Sequence, residues 1–134
     1  MTAIYLLDTD TCIYLKNHRP PSFAKRFSQL KQGEVVMSLI TYGELYNGAM
    51  KSREADAALA NLERLSKLLP VVTLPVHAGS IYGQIRSRLE QKGTIIGGND
   101  LWIAAHAISL DLILVTNNTR KFIRVEGLKF ENWI

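Results

Sequence analysis

The chain has 134 residues, 47% of them apolar and 21% charged, with a net charge of +4 at neutral pH and a single cysteine, Cys12. This composition argues against a disordered chain, and one cysteine excludes an internal disulfide bond. No apolar stretch reaches the roughly 20 residues that span a bilayer, and the N-terminus lacks the regions of a signal peptide. We therefore expect one cytoplasmic domain, residues 1–134, that does not enter a membrane.

The apolar runs and turn residues predict alternating strands and helices. In the first half of the chain the predicted elements are a strand at 3–8, helices at 11–16 and 23–30, a strand at 35–38 and a helix that ends near residue 50. In the second half they are an amphipathic helix at 54–69, a strand at 71–73, helices at 76–92 and 100–110, a strand at 112–115 and an edge strand at 128–130.

This alternation predicts an α/β fold with a central parallel sheet of about four or five strands and helices on both faces. Ligands of such sheets bind beyond the carboxyl ends of the strands. Polar residues stand at three of these ends: Asp8 after the first strand, Glu44 after the second, and Thr116-Asn117-Asn118-Thr119 after the strand at 112–115. Asp100 opens an apolar helix, and we expect it at the same edge.

Carboxylates that converge at one edge repel one another, by roughly 4 kcal/mol for a pair about 4 Å apart at an effective dielectric of about 20. Such a cluster persists by taking up protons or a hard cation, and Mg²⁺ and Mn²⁺ prefer oxygen ligands. Each acid alone also fits a structural role. Asp8 and Asp100 could cap helices, and Glu44 could complete a capping box with Thr41. Asp10 is either a further ligand or a helix cap.

Other polar residues are candidates for phosphate binding. Thr9 and Thr116 could bind through their hydroxyl groups, although such residues are also common in turns. The basic candidates, each of which could equally be an ordinary solvated surface charge, are Arg86, Arg88, Lys92, Arg120, Lys121 and Arg124. His106 lies in the middle of an apolar helix and is predicted to be packed. The histidines and the cysteine show no zinc-ligand spacing.

Four segments together resemble the PIN-domain ribonucleases and, within them, the VapC toxins of bacterial toxin–antitoxin pairs. The first two are Leu7-Asp8-Thr9 and Ser38-x-x-Thr41-x-x-Glu44-Leu45. The third is Gly97-x-Asn99-Asp100-x-x-Ile103-Ala104-x-His106-Ala107. The fourth is Val115-Thr116-Asn117-Asn118-Thr119-Arg120-x-Phe122-x-Arg124-Val125-x-Gly127-Leu128. The resemblance covers nearly the whole chain, including Glu131-Asn132-Trp133 near the C-terminus.

The resemblance implies a Mg²⁺- or Mn²⁺-dependent endoribonuclease. Asp8, Glu44 and Asp100 match the three acids of the family, and Asp8 and Asp100 would hold the metal, with Glu44 binding directly or through water. Metal-activated water would attack, leaving 5′-phosphate and 3′-hydroxyl ends. The resemblance also implies a small antitoxin partner (VapB-like), a homodimer that forms a larger hetero-oligomer with the antitoxin, and a structured RNA substrate such as tRNA.

The sequence departs from the family pattern at three places. Asn118 stands where many PIN domains have a fourth acid and would position water or phosphate by hydrogen bonding, so the number of metal ions, one or two, stays open. Asp10 stands where many relatives have asparagine and could partly restore the charge. Thr94-Ile95 replaces a more basic pair, so RNA contacts there could differ.

Two other functions remain compatible with parts of the pattern. A haloacid-dehalogenase-like phosphatase would use Asp8 as nucleophile and Asp10 as acid–base, although Cys12 and the missing lysine motif fit that family poorly. A non-catalytic RNA- or protein-binding module could use the same fold, since Asn118 weakens the acid set.

Overall fold

The computed structural model describes residues 2–134. The chain forms five strands and seven helices over these residues. The first six elements are β1 (Tyr5–Leu7), α1 (Thr9–Asn17), α2 (Pro21–Ser28), β2 (Val35–Ser38), α3 (Leu39–Met50) and α4 (Ala55–Leu68). The last six are β3 (Val71–Val72), α5 (Ala78–Lys92), α6 (Gly98–Ser109), β4 (Ile113–Val115), α7 (Thr119–Phe122) and β5 (Phe130–Glu131).

The strands form one parallel sheet in the order β3-β2-β1-β4-β5, with β1 at its centre. Leu6 of β1 lies opposite Val36 of β2 on one side and Leu114 of β4 on the other. All three strands are short apolar runs, as expected for strands that are covered on both faces. The predicted α/β fold with a parallel sheet and helices on both faces is confirmed.

The side chains of β1 alternate between two hydrophobic cores, one on each face of the sheet. Leu6 packs on the face covered mainly by α5, α6 and α7. Tyr5 and Leu7 pack on the face covered by α1, α2 and α4, together with Cys12 and Trp133. Cys12 is fully buried, and burial raises the pKa of its thiol well above the usual value. No helix of residues 2–134 has the length and apolar character needed to cross a bilayer.

Three predictions about local structure need correction. The helix α3 begins at Leu39, because the Ser38 hydroxyl accepts a hydrogen bond from the Ile40 N–H (3.0 Å), so Thr41 and Glu44 do not form its capping box. The edge strand begins at Phe130, two residues later than predicted. The short helix α7 was not predicted at all; Asn118 precedes it as the N-terminal cap.

Candidate active site

Asp8 is held rigidly at the carboxyl end of the central strand. It caps α1, and its Oδ1 accepts hydrogen bonds from the Thr11 N–H (2.9 Å) and the Thr11 hydroxyl (2.8 Å). Its own N–H donates to the carbonyl oxygen of Val115 on the neighbouring strand (3.1 Å). Only 5% of Asp8 is exposed. The carboxyl group is therefore fixed between the ends of β1 and β4 and largely removed from water.

Burial determines the ionisation of Asp8. Loss of hydration raises the pKa of this carboxyl above its usual value; hydrogen bonds from Thr116 and Thr11 oppose the increase, and the nearby charge of Asp10 adds slightly to it. Within residues 2–134, no lysine, arginine or histidine forms an ion pair with Asp8. A buried carboxylate without a cationic partner favours the uptake of a proton or a metal ion.

Glu44 is directed towards α1 from the second turn of α3. Its Oε1 accepts a short hydrogen bond from the Thr9 hydroxyl (2.6 Å), and the Thr9 and Thr41 hydroxyl oxygens are 3.2 Å apart. Thr9 immediately follows Asp8 in the chain, so this contact places Glu44 beside the end of β1. Because α3 is capped by Ser38, the carboxylate of Glu44 is free of the capping role and available to the site.

Asp100 lies in the first turn of α6, where Gly97 rather than Asp100 is the N-terminal cap. Its Oδ2 is 2.6 Å from the Lys121 ammonium group, and both side chains are 30% exposed. An ion pair with this degree of exposure contributes roughly 1 kcal/mol or less to stability. Its importance is therefore its position, because it places a cation on one of the candidate metal ligands.

Asn118 and Thr116 connect the two halves of the site. The Asn118 N–H donates to the Thr116 hydroxyl (2.9 Å), and the Asn118 Oδ1 lies 3.4 Å from the Lys121 N–H. Thr116 in turn interacts with Asp8, and Lys121 pairs with Asp100. A series of contacts and chain neighbours thus leads from Glu44 through Thr9 and Asp8 to Thr116, Asn118, Lys121 and Asp100. Asp8 lies at the end of β1, and Glu44 and Asp100 are linked to it only through these intervening residues.

The predicted phosphate-binding residues separate into two groups. Arg120, Lys121 and Arg124 line a hollow of about 350 Å³, together with Asn118 and residues 95–97. Arg86 lies instead on α5, where its guanidinium group contacts the Tyr82 hydroxyl (2.8 Å) and Glu90 (3.2 Å). Neither contact of Arg86 connects it to Asp8, Glu44 or Asp100. Of the two groups, only the residues that line the hollow are linked to the candidate acids, through the pair of Lys121 with Asp100.

His106 has the structural role predicted for it. The side chain is fully buried, and its ring nitrogens lie 2.8 Å from the Ser38 hydroxyl and 3.0 Å from the Thr73 carbonyl oxygen. Burial lowers the pKa of His106, and the hydrogen bond to Thr73 partly opposes this. This ring therefore ties α6 to the end of β2 rather than supplying a proton or a metal ligand.

The donors suit a hard divalent cation in their chemistry, since Asp8, Glu44, Asp100 and Asn118 all offer oxygen atoms. The positions of these donor atoms fit a metal site less well. Across residues 2–134, no three or more Asp, Glu, His or Cys side chains are gathered as a metal-ligand set. Glu44 is engaged by Thr9, and Asp100 by Lys121. A metal bound at Oδ2 of Asp100 would have to displace the Lys121 ammonium group, and the metal remains a prediction.

Sequence reasoning missed the role of Lys121 because it missed the helix that carries this residue. One signal was available. Asn118 is a favoured capping residue, and its side chain accepts from the N–H three positions along, at Lys121, as an N-terminal cap does. The segment is too short to show helical periodicity, so the cap was its main sign.

Comparison with known proteins gives a consistent result. The sequence model of the PIN domain matches residues 5–128. Ribonuclease VapC1 of Haemophilus influenzae (strain R2866) is 40% identical over 131 residues, 97% of this chain and 98% of the relative. The tRNA(fMet)-specific endonuclease VapC of Shigella flexneri is 41% identical over 129 residues, 96% and 97% of the two chains. The crystal structure of VapBC2 from Rickettsia felis bound to a promoter DNA fragment superposes with a TM-score of 0.90 at 36% identity, covering 100% of both chains.

Proposed function

The chain belongs to the PIN-domain family and, within it, to the VapC ribonucleases, and from this premise we propose that it is a divalent-metal-dependent endoribonuclease that cuts structured RNA, such as tRNA. The observation that carries the proposal is the series of contacts that leads from Glu44 through Thr9 to Asp8 at the carboxyl end of the central strand, and from Asn118 and Lys121 to Asp100. In an open parallel sheet this edge is where ligands bind.

In this proposal Asp8 and Asp100 hold Mg²⁺ or Mn²⁺, and Glu44 joins them directly or through a water molecule. When bound, the metal neutralises charge on the scissile phosphate and activates water for attack. Asn118 orients the water or a phosphate oxygen with its amide group. The hydroxyl groups of Thr9 and Thr116 keep the carboxylates in position, and a phosphate could replace either contact.

The charge distribution supports an RNA substrate. The chain carries a net charge of +4 although its site is acidic, so the positive charge lies outside the carboxylate edge. Arg120 and Arg124 place part of it in the hollow beside Asp100. Basic side chains there would bind the phosphates that flank the cleaved bond. Arg86 lies on α5, outside this hollow, so it would contact a different part of the RNA.

The proposed partner is a VapB-like antitoxin, with the toxin as a homodimer in the cytoplasm that joins the antitoxin in a larger hetero-oligomer. Support for a protein partner comes from three of the solved structural neighbours, whose structures are of VapBC. An apolar groove of about 450 Å³ also begins at Thr9 and Glu44 and continues between α1, α3 and α4. A partner segment bound there would reach the edge of the active site.

The test is RNA cleavage by the wild-type protein and by Asp100→Asn, with and without EDTA. Asp111→Asn is the matched control, because Asp111 is an exposed aspartate paired with Lys129 (2.7 Å). We expect EDTA and Asp100→Asn each to abolish cleavage, and Asp111→Asn to leave it unchanged. The products should carry 5′-phosphate ends that can be ligated without a kinase step.

Two outcomes would redirect the assignment. A 2′,3′-cyclic phosphate end would indicate attack by the RNA hydroxyl and exclude the proposed water attack. An inactive wild-type protein that still binds RNA would favour a non-catalytic module. The phosphatase alternative is overturned by membership of the PIN family, and Asp10, its required acid–base, lies exposed in the first turn of α1.

A further inference from the structure

Lys121 is held on Asp100 by an ordered framework and is not a freely moving surface lysine. Its ammonium group forms the shortest ion pair of residues 2–134, 2.6 Å from Asp100 Oδ2. The helix that carries it is capped by Asn118, and the next residue, Phe122, is 1% exposed in the hydrophobic core. The backbone of Lys121 is thus anchored on both sides, and its side chain is directed at a candidate metal ligand.

We propose that Lys121 is a built-in cation that occupies Asp100 in the metal-free protein and competes with the divalent metal for it. The proposal rests on the proposed function, because it concerns the same metal. Lys121 is a positioning residue in this role, since it acts through the carboxylate of Asp100. Metal binding then requires the ammonium group to leave Asp100.

Electrostatic repulsion is the physical basis of this competition. A divalent metal held by the carboxylate of Asp100 would share that group with an ammonium nitrogen that already lies 2.6 Å from its Oδ2. Two cations so close to one carboxylate repel each other strongly at a partly buried site. Conversely, without metal the ammonium group neutralises Asp100 and reduces its repulsion with Asp8 and Glu44. The pair therefore stabilises the empty site and opposes its loading.

After displacement from Asp100, the ammonium group of Lys121 could lie in the neighbouring hollow. Lys121 also lines the hollow that contains Arg120 and Arg124, where an RNA phosphate would lie in the proposed function. Displacement by metal would thus move one positive charge from the carboxylate to the substrate side of the site. Metal loading and phosphate binding would favour each other, because each would draw the ammonium group of Lys121 away from Asp100.

The direct test is calorimetric titration of the full chain with Mn²⁺, comparing wild type, Lys121→Gln and Lys121→Arg. We expect Lys121→Gln to bind Mn²⁺ up to about fivefold more tightly, which corresponds to losing a competing ion pair worth roughly 1 kcal/mol. Lys121→Arg retains a competing charge and should stay close to wild type. Lys129→Gln is the matched control, because it removes a lysine from an exposed pair (2.7 Å to Asp111) and should not change Mn²⁺ affinity.

Melting in EDTA and in excess Mn²⁺ provides a second readout. Lys121→Gln should melt lower than wild type in EDTA, because Asp100 loses its cation. In Mn²⁺ the variant should gain more stability than wild type. A lysine with a purely structural role would lower the melting temperature equally in both conditions and would overturn the proposal.

The wild-type protein offers a test that does not depend on a variant folding. The ammonium signal of Lys121, observed by NMR with ¹⁵N-labelled lysine, should change its chemical shift and exchange faster with water when Mg²⁺ is added. An unchanged signal at saturating Mg²⁺ would show that the pair survives metal binding.

The outcomes separate this proposal from the proposed function. Equal or weaker Mn²⁺ binding by Lys121→Gln, with cleavage by wild type still sensitive to EDTA, would refute the competition and leave the metal-dependent ribonuclease standing. Absence of Mn²⁺ binding by any of the proteins, with cleavage insensitive to EDTA, would refute both.

Discussion

Replacing Asp8 with asparagine should raise the melting temperature of the metal-free protein. Asparagine is as good an N-terminal cap as aspartate, and its Oδ1 can still accept the hydrogen bonds from the Thr11 N–H and hydroxyl. The change removes the charge that burial destabilises while keeping the shape. Asp8 is therefore a cap and a candidate metal ligand at once, whereas the sequence had suggested a choice between the two roles.

The expected change in the free energy of unfolding follows from two opposing effects. Each hydrogen bond to a charged acceptor contributes about 1 kcal/mol more than one to a neutral acceptor, whereas burying a carboxylate costs several kcal/mol. Because the pKa of Asp8 is raised, the cost of burial is the larger effect at this 5% exposed group. We expect Asp8→Asn to stabilise the metal-free protein on the order of 1 kcal/mol, or roughly 3–5 °C in Tm for a chain of this size.

The pH dependence has a definite sign. An acid whose pKa is raised by folding destabilises the folded state above that pKa, and the destabilisation disappears as pH falls towards the ordinary value of 3.8. The advantage of Asp8→Asn should therefore be full above the raised pKa and vanish as pH falls towards 3.8. Bound metal should make wild type the more stable of the two proteins. A ligand at about 100 times its Kd stabilises the protein that binds it by about 2.7 kcal/mol, and the variant, which lacks one ligand charge, gains less.

The assay is thermal melting of both proteins in EDTA and in millimolar Mg²⁺ or Mn²⁺, at a series of pH values from neutral down towards the ordinary value of 3.8. Asp111→Asn, at an exposed aspartate, controls for the change in net charge and should behave alike with and without metal. If Asp8→Asn lowers the melting temperature by the same amount in EDTA and in metal, Asp8 is only a cap and the electrostatic reasoning fails.

Two further predictions concern Asn118 and His106. Asn118→Asp keeps a capping side chain on α7 but adds a charge, so Mn²⁺ should bind more tightly or in greater number; unchanged calorimetric affinity and stoichiometry would place Asn118 outside the metal shell. Burial lowers the pKa of the His106 ring, so the ring should stay neutral below its ordinary pKa of 6.5 in an NMR titration. Folding stability should then fall as the pH drops below 6.5, because only the unfolded chain takes up the proton. Protonation of folded His106 at or above its ordinary pKa would contradict the assigned burial.

Much of the fold follows from local sequence patterns. The apolar runs that became β1, β2 and β4 are short, continuous and bounded by polar residues, and helical segments between them leave a parallel sheet as the simple arrangement. The sequence also determined that Asp8 and Thr116 would meet, because each directly follows a strand. Neighbouring parallel strands end at the same edge, and the N–H of Asp8 bonds to Val115 across that edge.

Only the tertiary structure decided how the acids are partnered. Ser38 and Thr41 could each cap a helix. Because β2 ends at Ser38, Ser38 is the residue that caps α3. Glu44 therefore has no capping role, and it accepts a hydrogen bond from Thr9 instead. The contact between Asp100 and Lys121 spans 21 residues and depends on the short helix α7. A helix of this length has no periodic pattern; it is held by its cap and by the burial of Phe122, and burial is a property of the assembled core.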